Sequence, residues 1–159
     1  MGGFIAPLVA IFMGLALWAS YNNNTKLVTP AKYTLQMTSD ATTFLAYRNA
    51  VASYLQAQPS FTGTVPAASL SGQFSTTFLA SAGNFISATG TSGRVITCWA
   101  KVSSGTVQQA VTQAGVDASI GTSSGSTWVS AAPGAVTSPV ALTTPVPAGD
   151  IVSVIQIGS

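Results

Sequence analysis

Histidine and glutamate are absent from this chain, cysteine occurs once, and only 5% of its 159 residues are charged. Without histidine, the usual metal-ligand sets, imidazole acid/base pairs and Ser-His-Asp triads are excluded. The carboxylates are Asp40, Asp117 and Asp150, far apart in sequence and in neither a calcium-loop nor a paired-carboxylate pattern. A Ser-Lys dyad using Lys101 is the one formal remainder, and Gly90, Gly93 and Gly121 form no phosphate-binding motif. The chain is therefore read as non-enzymatic, with no cofactor, no metal and no small-molecule substrate.

The cations are equally sparse. Lys26, Lys32, Arg48, Arg94 and Lys101 bring the net charge to +2 without clustering, so no footprint for nucleic acid is present. With so little charge, against roughly 25% in an ordinary soluble domain, the surface must be covered by Ser, Thr, Gly, Ala, Asn and Gln. A single cysteine excludes an intramolecular disulfide. Cys98 lies among Val95, Ile96 and Trp99, a strand-like setting in which a buried, inert thiol is expected. The length allows one compact domain with an appendage.

Charge is missing altogether before Lys26. Phe4, Ile5, Leu8, Val9, Ile11, Phe12, Leu15, Leu17, Trp18 and Tyr21 punctuate a continuous apolar run which, at 1.5 Å per residue, makes a helix of about 30 Å. The expectation is a transmembrane anchor and exit over 1–25, with Trp18 and Tyr21 at an interface. A cleaved signal peptide is the main competitor, but it would need a basic start and a small-residue cleavage site. A third reading is a helix buried in a protein assembly. Lys26 and Lys32 bias the following domain toward the cytoplasm, whereas its charge-poor Thr/Ser/Gly composition favours the outside.

The rest of the chain, 26–159, reads as a small α+β domain. Thr29-Pro30 is a helix start and Pro59 a stop, so an amphipathic helix is expected over about 30–58, with Asp40 as an alternative cap for a helix beginning near Ala41. Leu35, Phe44, Tyr47, Val51, Tyr54 and Leu55 follow mostly helical spacing, densest from Phe44 onward. This stripe is read first as packing and second, with Arg48, as a possible protein contact; Arg48 and Asn49 are placed on the solvent side or at a subunit contact. A strand-rich part is expected over 61–159, with a Gly/Asn turn at Gly83-Asn84, a central strand over Gly93–Val102 and a short helix ending at Gly115. A hairpin turning at Ser123–Gly125, a Pro-bearing loop over Pro133–Pro147 and a last strand over Ile151–Ile157 follow. The architecture predicted is a transmembrane helix, an amphipathic helix and a mostly antiparallel sheet.

Gly3-Phe4 ahead of an apolar helix resembles the processing site of type IV prepilins, although a basic leader is missing and Leu8 stands where those proteins carry Glu. A broader likeness runs through the apolar start, the segment Leu45-Ala46-Tyr47-Arg48-Asn49-Ala50-Val51, Phe61-Thr62-Gly63-Thr64-Val65-Pro66, Trp128-Val129 and the terminal stretch Pro147–Gln156. In that order these blocks resemble the PilM family of type IVB thin pilus systems. The resemblance implies a membrane-anchored component of pilus assembly, the pilin transport apparatus or the basal body. Such a component would act through protein contacts in the bacterial inner membrane, single-pass, with a periplasmic C-terminal domain. Its partners would be the lipid bilayer and other pilus-assembly proteins or copies of itself. The alternative is a filament subunit, a minor pilin or virion coat protein, whose apolar helix packs with copies of itself; a carbohydrate-binding or adhesion module using Trp99 or Trp128 ranks third.

Overall fold

The computed structural model of the chain describes residues 32–70 and 72–158. The chain divides into two compact units, Met1–Gln36 and Met37–Ser159. In the first unit the described residues, 32–36, are helical. The second unit holds the folded core.

Helix α1 runs over 32–57 and ends where Pro59 can no longer continue it. Its buried residues Ala41, Phe44, Tyr47, Val51 and Leu55 recur every three or four positions and so form one stripe. Asp40 does not start a second helix, because the helix passes through it without a break. Its carboxylate instead accepts from the Ser103 hydroxyl at 2.7 Å, holding α1 to the loop beyond the sheet. Two short helices follow, α2 (Ala67–Leu70) and α3 (Thr76–Ser81), the second capped by Ser75 Oγ, which accepts from the Phe78 N–H at 3.2 Å.

The sheet has six strands in the order β1-β2-β6-β3-β4-β5: β1 Ala82–Thr89, β2 Gly93–Ala100, β3 Ile120–Ser123, β4 Thr127–Ser130, β5 Val140–Ala141 and β6 Ile151–Ile157. Every neighbouring pair is antiparallel. Helix α4 (Thr106–Gln113) lies between β2 and β3 in sequence and stops at Gly115, whose φ of 73° is the left-handed conformation of a helix C-terminus. Side chains alternate across the sheet. Ile86, Ile96, Cys98, Ala100, Ile120 and Ile151 face α1 and α4 in the main core. The opposite face carries Trp128, Val146 and Val152 in a second, smaller cluster, with Trp99, Leu142 and Val154 packed against it.

Several expectations are corrected. Gly83-Asn84 is no turn but part of β1, paired with Trp99 and Cys98. A Cβ at Gly83 would overlap the Trp99 indole, so glycine is there to let that ring lie across the strand. The Pro-bearing loop contains a short strand, β5, at the sheet edge. Ile151–Ile157, expected as the last strand, forms and lies between β2 and β3.

The membrane-anchored architecture is corrected as well. Among the described residues no helix is long and apolar enough to cross a membrane. The longest, α1, is apolar on one stripe only and carries Lys32, Asp40 and Arg48. The anchor expected over 1–25, with all the residues assigned to it, lies outside the described residues. What the described residues support is an α+β fold built on an antiparallel sheet, without a membrane-spanning helix among them.

Candidate interaction surface

The helical stripe read from sequence does not face outward. Phe44, Tyr47 and Val51 are at most 2% exposed, and Leu55 is buried with them, so these side chains are spent on the protein's own core. Tyr54 is half-buried, edge-on to Phe61 at 5.2 Å. Arg48 also turns inward, a correction to its solvent-side placement. Its guanidinium forms an ion pair with Asp117 at 2.6 Å, and the two side chains are only 14% and 29% exposed. The reason is the loop after α4, which returns beneath α1 and presents Asp117 with Ser119; the Ser119 N–H donates to the same carboxylate at 2.8 Å. Burial pushes the Asp117 carboxyl upward, but the Ser119 hydrogen bonds and the Arg48 guanidinium outweigh it and hold the group below its usual range.

A second polar cluster joins α1 to the sheet. Asn84 donates to the Tyr47 hydroxyl at 2.8 Å and to the Val65 carbonyl at 3.3 Å, while its side-chain oxygen accepts from the Val65 N–H at 2.7 Å. One carboxamide thus pairs with both main-chain groups of Val65, as a neighbouring strand would. The extended segment leading into α2 is fastened this way and by reciprocal bonds between Gly63 and Ile86. Burial raises Tyr47 to about 12 against the lowering effect of the Asn84 bond, and raises Cys98 to about 12 against the weak pull of Arg48. Both stay neutral at ordinary pH, and the Cys98 thiol is inert.

None of these groups forms a reactive constellation. Among the described residues no group of His, Cys, Asp or Glu is arranged to hold a metal ion. A groove of about 450 Å³ opens beside α1 among the described residues. Helix α1 contributes Asn49, Ser53 and Tyr54 to it, and the α2 side contributes Ser69, Leu70 and Gln73. The small Ala46 and Ala50 keep the α1 wall low. No charged side chain lines it among the described residues. Sequence reasoning placed Asn49 at the surface but missed the groove, although Ala46, Asn49, Ala50 and Ser53 recur at the spacing of one helix face. The other wall had no such signal, because Asn84 sets its position from a strand that was read as a turn.

The family profile for PilM matches residues 5–154, almost the full length. The chain belongs to the PilM family. A PilM-family chain is a structural or assembly component, and this one is not an enzyme. Among solved structures, a PilM protein from Escherichia coli B7A resembles it with a TM-score of 0.56 and 20% sequence identity, covering 77% of this chain and 94% of that one. At that identity the likeness shows the fold. A search of the curated proteins matches none. Within this PilM fold the expectation of a single-pass inner-membrane protein with a periplasmic domain and a bilayer partner is corrected on the ground given above: no described helix crosses a membrane.

Proposed function

We propose that this PilM-family chain serves type IVB pilus assembly as a non-catalytic component that works by contacting other pilus-assembly proteins. The observation that carries this reading is the family match over 5–154. The apolar stripe of α1 is consumed internally, which leaves the opposite face of α1 and the groove beside α2 for a partner. That surface suits recognition by shape and neutral hydrogen bonds rather than by charge.

The test is genetic and visual. Deleting the gene from a piliated strain should abolish thin pili on electron micrographs, and the wild-type gene should restore them. Ser53→Arg, which obstructs the groove from an exposed position, should fold normally yet fail to restore them. Wild-type numbers of pili in the deletion strain would sink the proposal.

A further inference from the structure

We infer that the turn after α4, residues 115–118, is a sprung latch: the Arg48–Asp117 ion pair holds Val116 in a strained backbone conformation, and breaking that pair opens the turn while the sheet stays folded.

Helix α4 can end without any strain at Val116. The Gly115 N–H donates to the Thr112 carbonyl at 3.2 Å and the Val116 N–H to the Val111 carbonyl at 2.9 Å, the paired bonds that close a helix around one left-handed residue. Gly115, at φ 73°, is that residue. Val116 follows at φ 65°, and among the described residues it is the only non-glycine with a positive φ. A β-branched side chain crowds its own backbone in this region, and such strain persists only where the surroundings impose it. The side chain itself gives little back, being 54% exposed.

What imposes the strain lies one residue further on. The second left-handed residue turns the chain back beneath α1, so that Asp117 meets Arg48 at 2.6 Å. The same carboxylate accepts from the Ser119 N–H at 2.8 Å, and the Arg48 guanidinium also donates to the Ser119 hydroxyl at 3.4 Å. An extended Val116 would send Asp117 away from Arg48, so the ion pair and the relaxed backbone exclude each other. The stretch that can move is bounded on both sides. The Ala114 N–H donates to the Ala110 carbonyl at 2.9 Å and keeps α4 closed, while the Val154 N–H donates to the Ser119 carbonyl at 2.9 Å and ties that residue to β6. Strand β3 stays between β6 and β4 whatever the turn does. Opening also brings water to the Arg48 guanidinium, whose Nε is buried without a hydrogen-bond partner when the turn is closed, and this lowers the cost of the open form.

Amide hydrogen exchange of the full chain, followed residue by residue by NMR at one pH, is the test. In the wild type the Val116 amide should be protected at least about tenfold less than that of Ile96 in the central sheet, and low urea should not change its rate, the mark of an opening smaller than global unfolding. Val116→Gly adopts the left-handed conformation without strain and should raise protection at 116 about threefold. Val116→Thr keeps the branch at Cβ and should leave it unchanged. Asp117→Asn should lower it at least about fivefold. Exchange of Val116 in step with Ile96 as urea rises, Val116→Gly protected no better than the wild type, or Asp117→Asn protected as well as the wild type overturns the inference. If Asp117→Asn fails to fold, the urea dependence and the glycine and threonine variants decide it.

Discussion

Tyr47→Phe removes a single oxygen atom from a buried position and tests whether the carboxamide of Asn84 organises this fold. In the wild type that carboxamide makes three bonds, to the Tyr47 hydroxyl, the Val65 carbonyl and the Val65 N–H. Asn84 is only 3% exposed, so water cannot replace a lost partner. Tyr47→Phe leaves one buried N–H without an acceptor and should cost about 1–2 kcal/mol. Asn84→Leu strands three groups at once, the Tyr47 hydroxyl and both main-chain groups of Val65, and should cost about 3–5 kcal/mol. That is a large part of the roughly 5–15 kcal/mol by which a domain is usually stable. The double variant should cost less than the sum by about 1 kcal/mol, because Phe no longer leaves a buried hydroxyl unpaired. Urea unfolding followed by tryptophan fluorescence measures all three. A Tyr47→Phe cost below about 0.3 kcal/mol, together with Asn84→Leu no worse than Ile96→Val, a change usually worth about 0.5–1.5 kcal/mol, would refute the reasoning.

Other perturbations follow from the same geometry. Asp117→Asn should destabilise the protein by about 1–3 kcal/mol at pH 7, since it leaves the buried Arg48 guanidinium without its counter-charge. Because the folded Asp117 titrates below its unfolded value, that difference should persist above about pH 4 and vanish as pH falls through the lower folded value in pH-resolved melts. Tyr47 and Cys98 shift the other way, so the stability they contribute is full below their unfolded values and is lost as pH rises toward about 12. Alkaline unfolding should therefore be less steep in Tyr47→Phe. Cys98 should react with a thiol reagent only at the rate of global unfolding; rapid labelling of the native protein would contradict its burial. Gly121→Ala would drive a Cβ into the Val129 carbonyl across the β3–β4 pair, and should lower stability by about 1–3 kcal/mol in thermal melts.

Much of the local structure was legible because it is written in spacing. The stripe Phe44, Tyr47, Val51 and Leu55 between Thr29-Pro30 and Pro59 specifies an amphipathic helix whatever it packs against. Alternation through Ile96, Cys98 and Ala100, and again from Ile151 to Ile157, specifies strands. Gly115 ends α4 because its positive φ is accessible to glycine at little cost. The absence of His and Glu removes the ordinary metal-ligand and acid/base sets at the level of sequence.

What only the tertiary structure decided is which surfaces are left over. Periodicity gives a helix its apolar face but does not say whether the sheet or a partner covers it; here the sheet does. Arg48 reads as a solvent-side cation until the loop after α4 brings Asp117 to 2.6 Å from a position 69 residues away. Gly83-Asn84 has turn chemistry by composition, yet the strand wins because Asn84 spends its carboxamide on Val65 and Gly83 makes room for Trp99. Each reversal has one cause. Local sequence fixes the backbone preference of a segment, whereas the partner of a polar side chain is chosen by chain elements that folding brings together from far away, and burial makes that choice expensive to refuse.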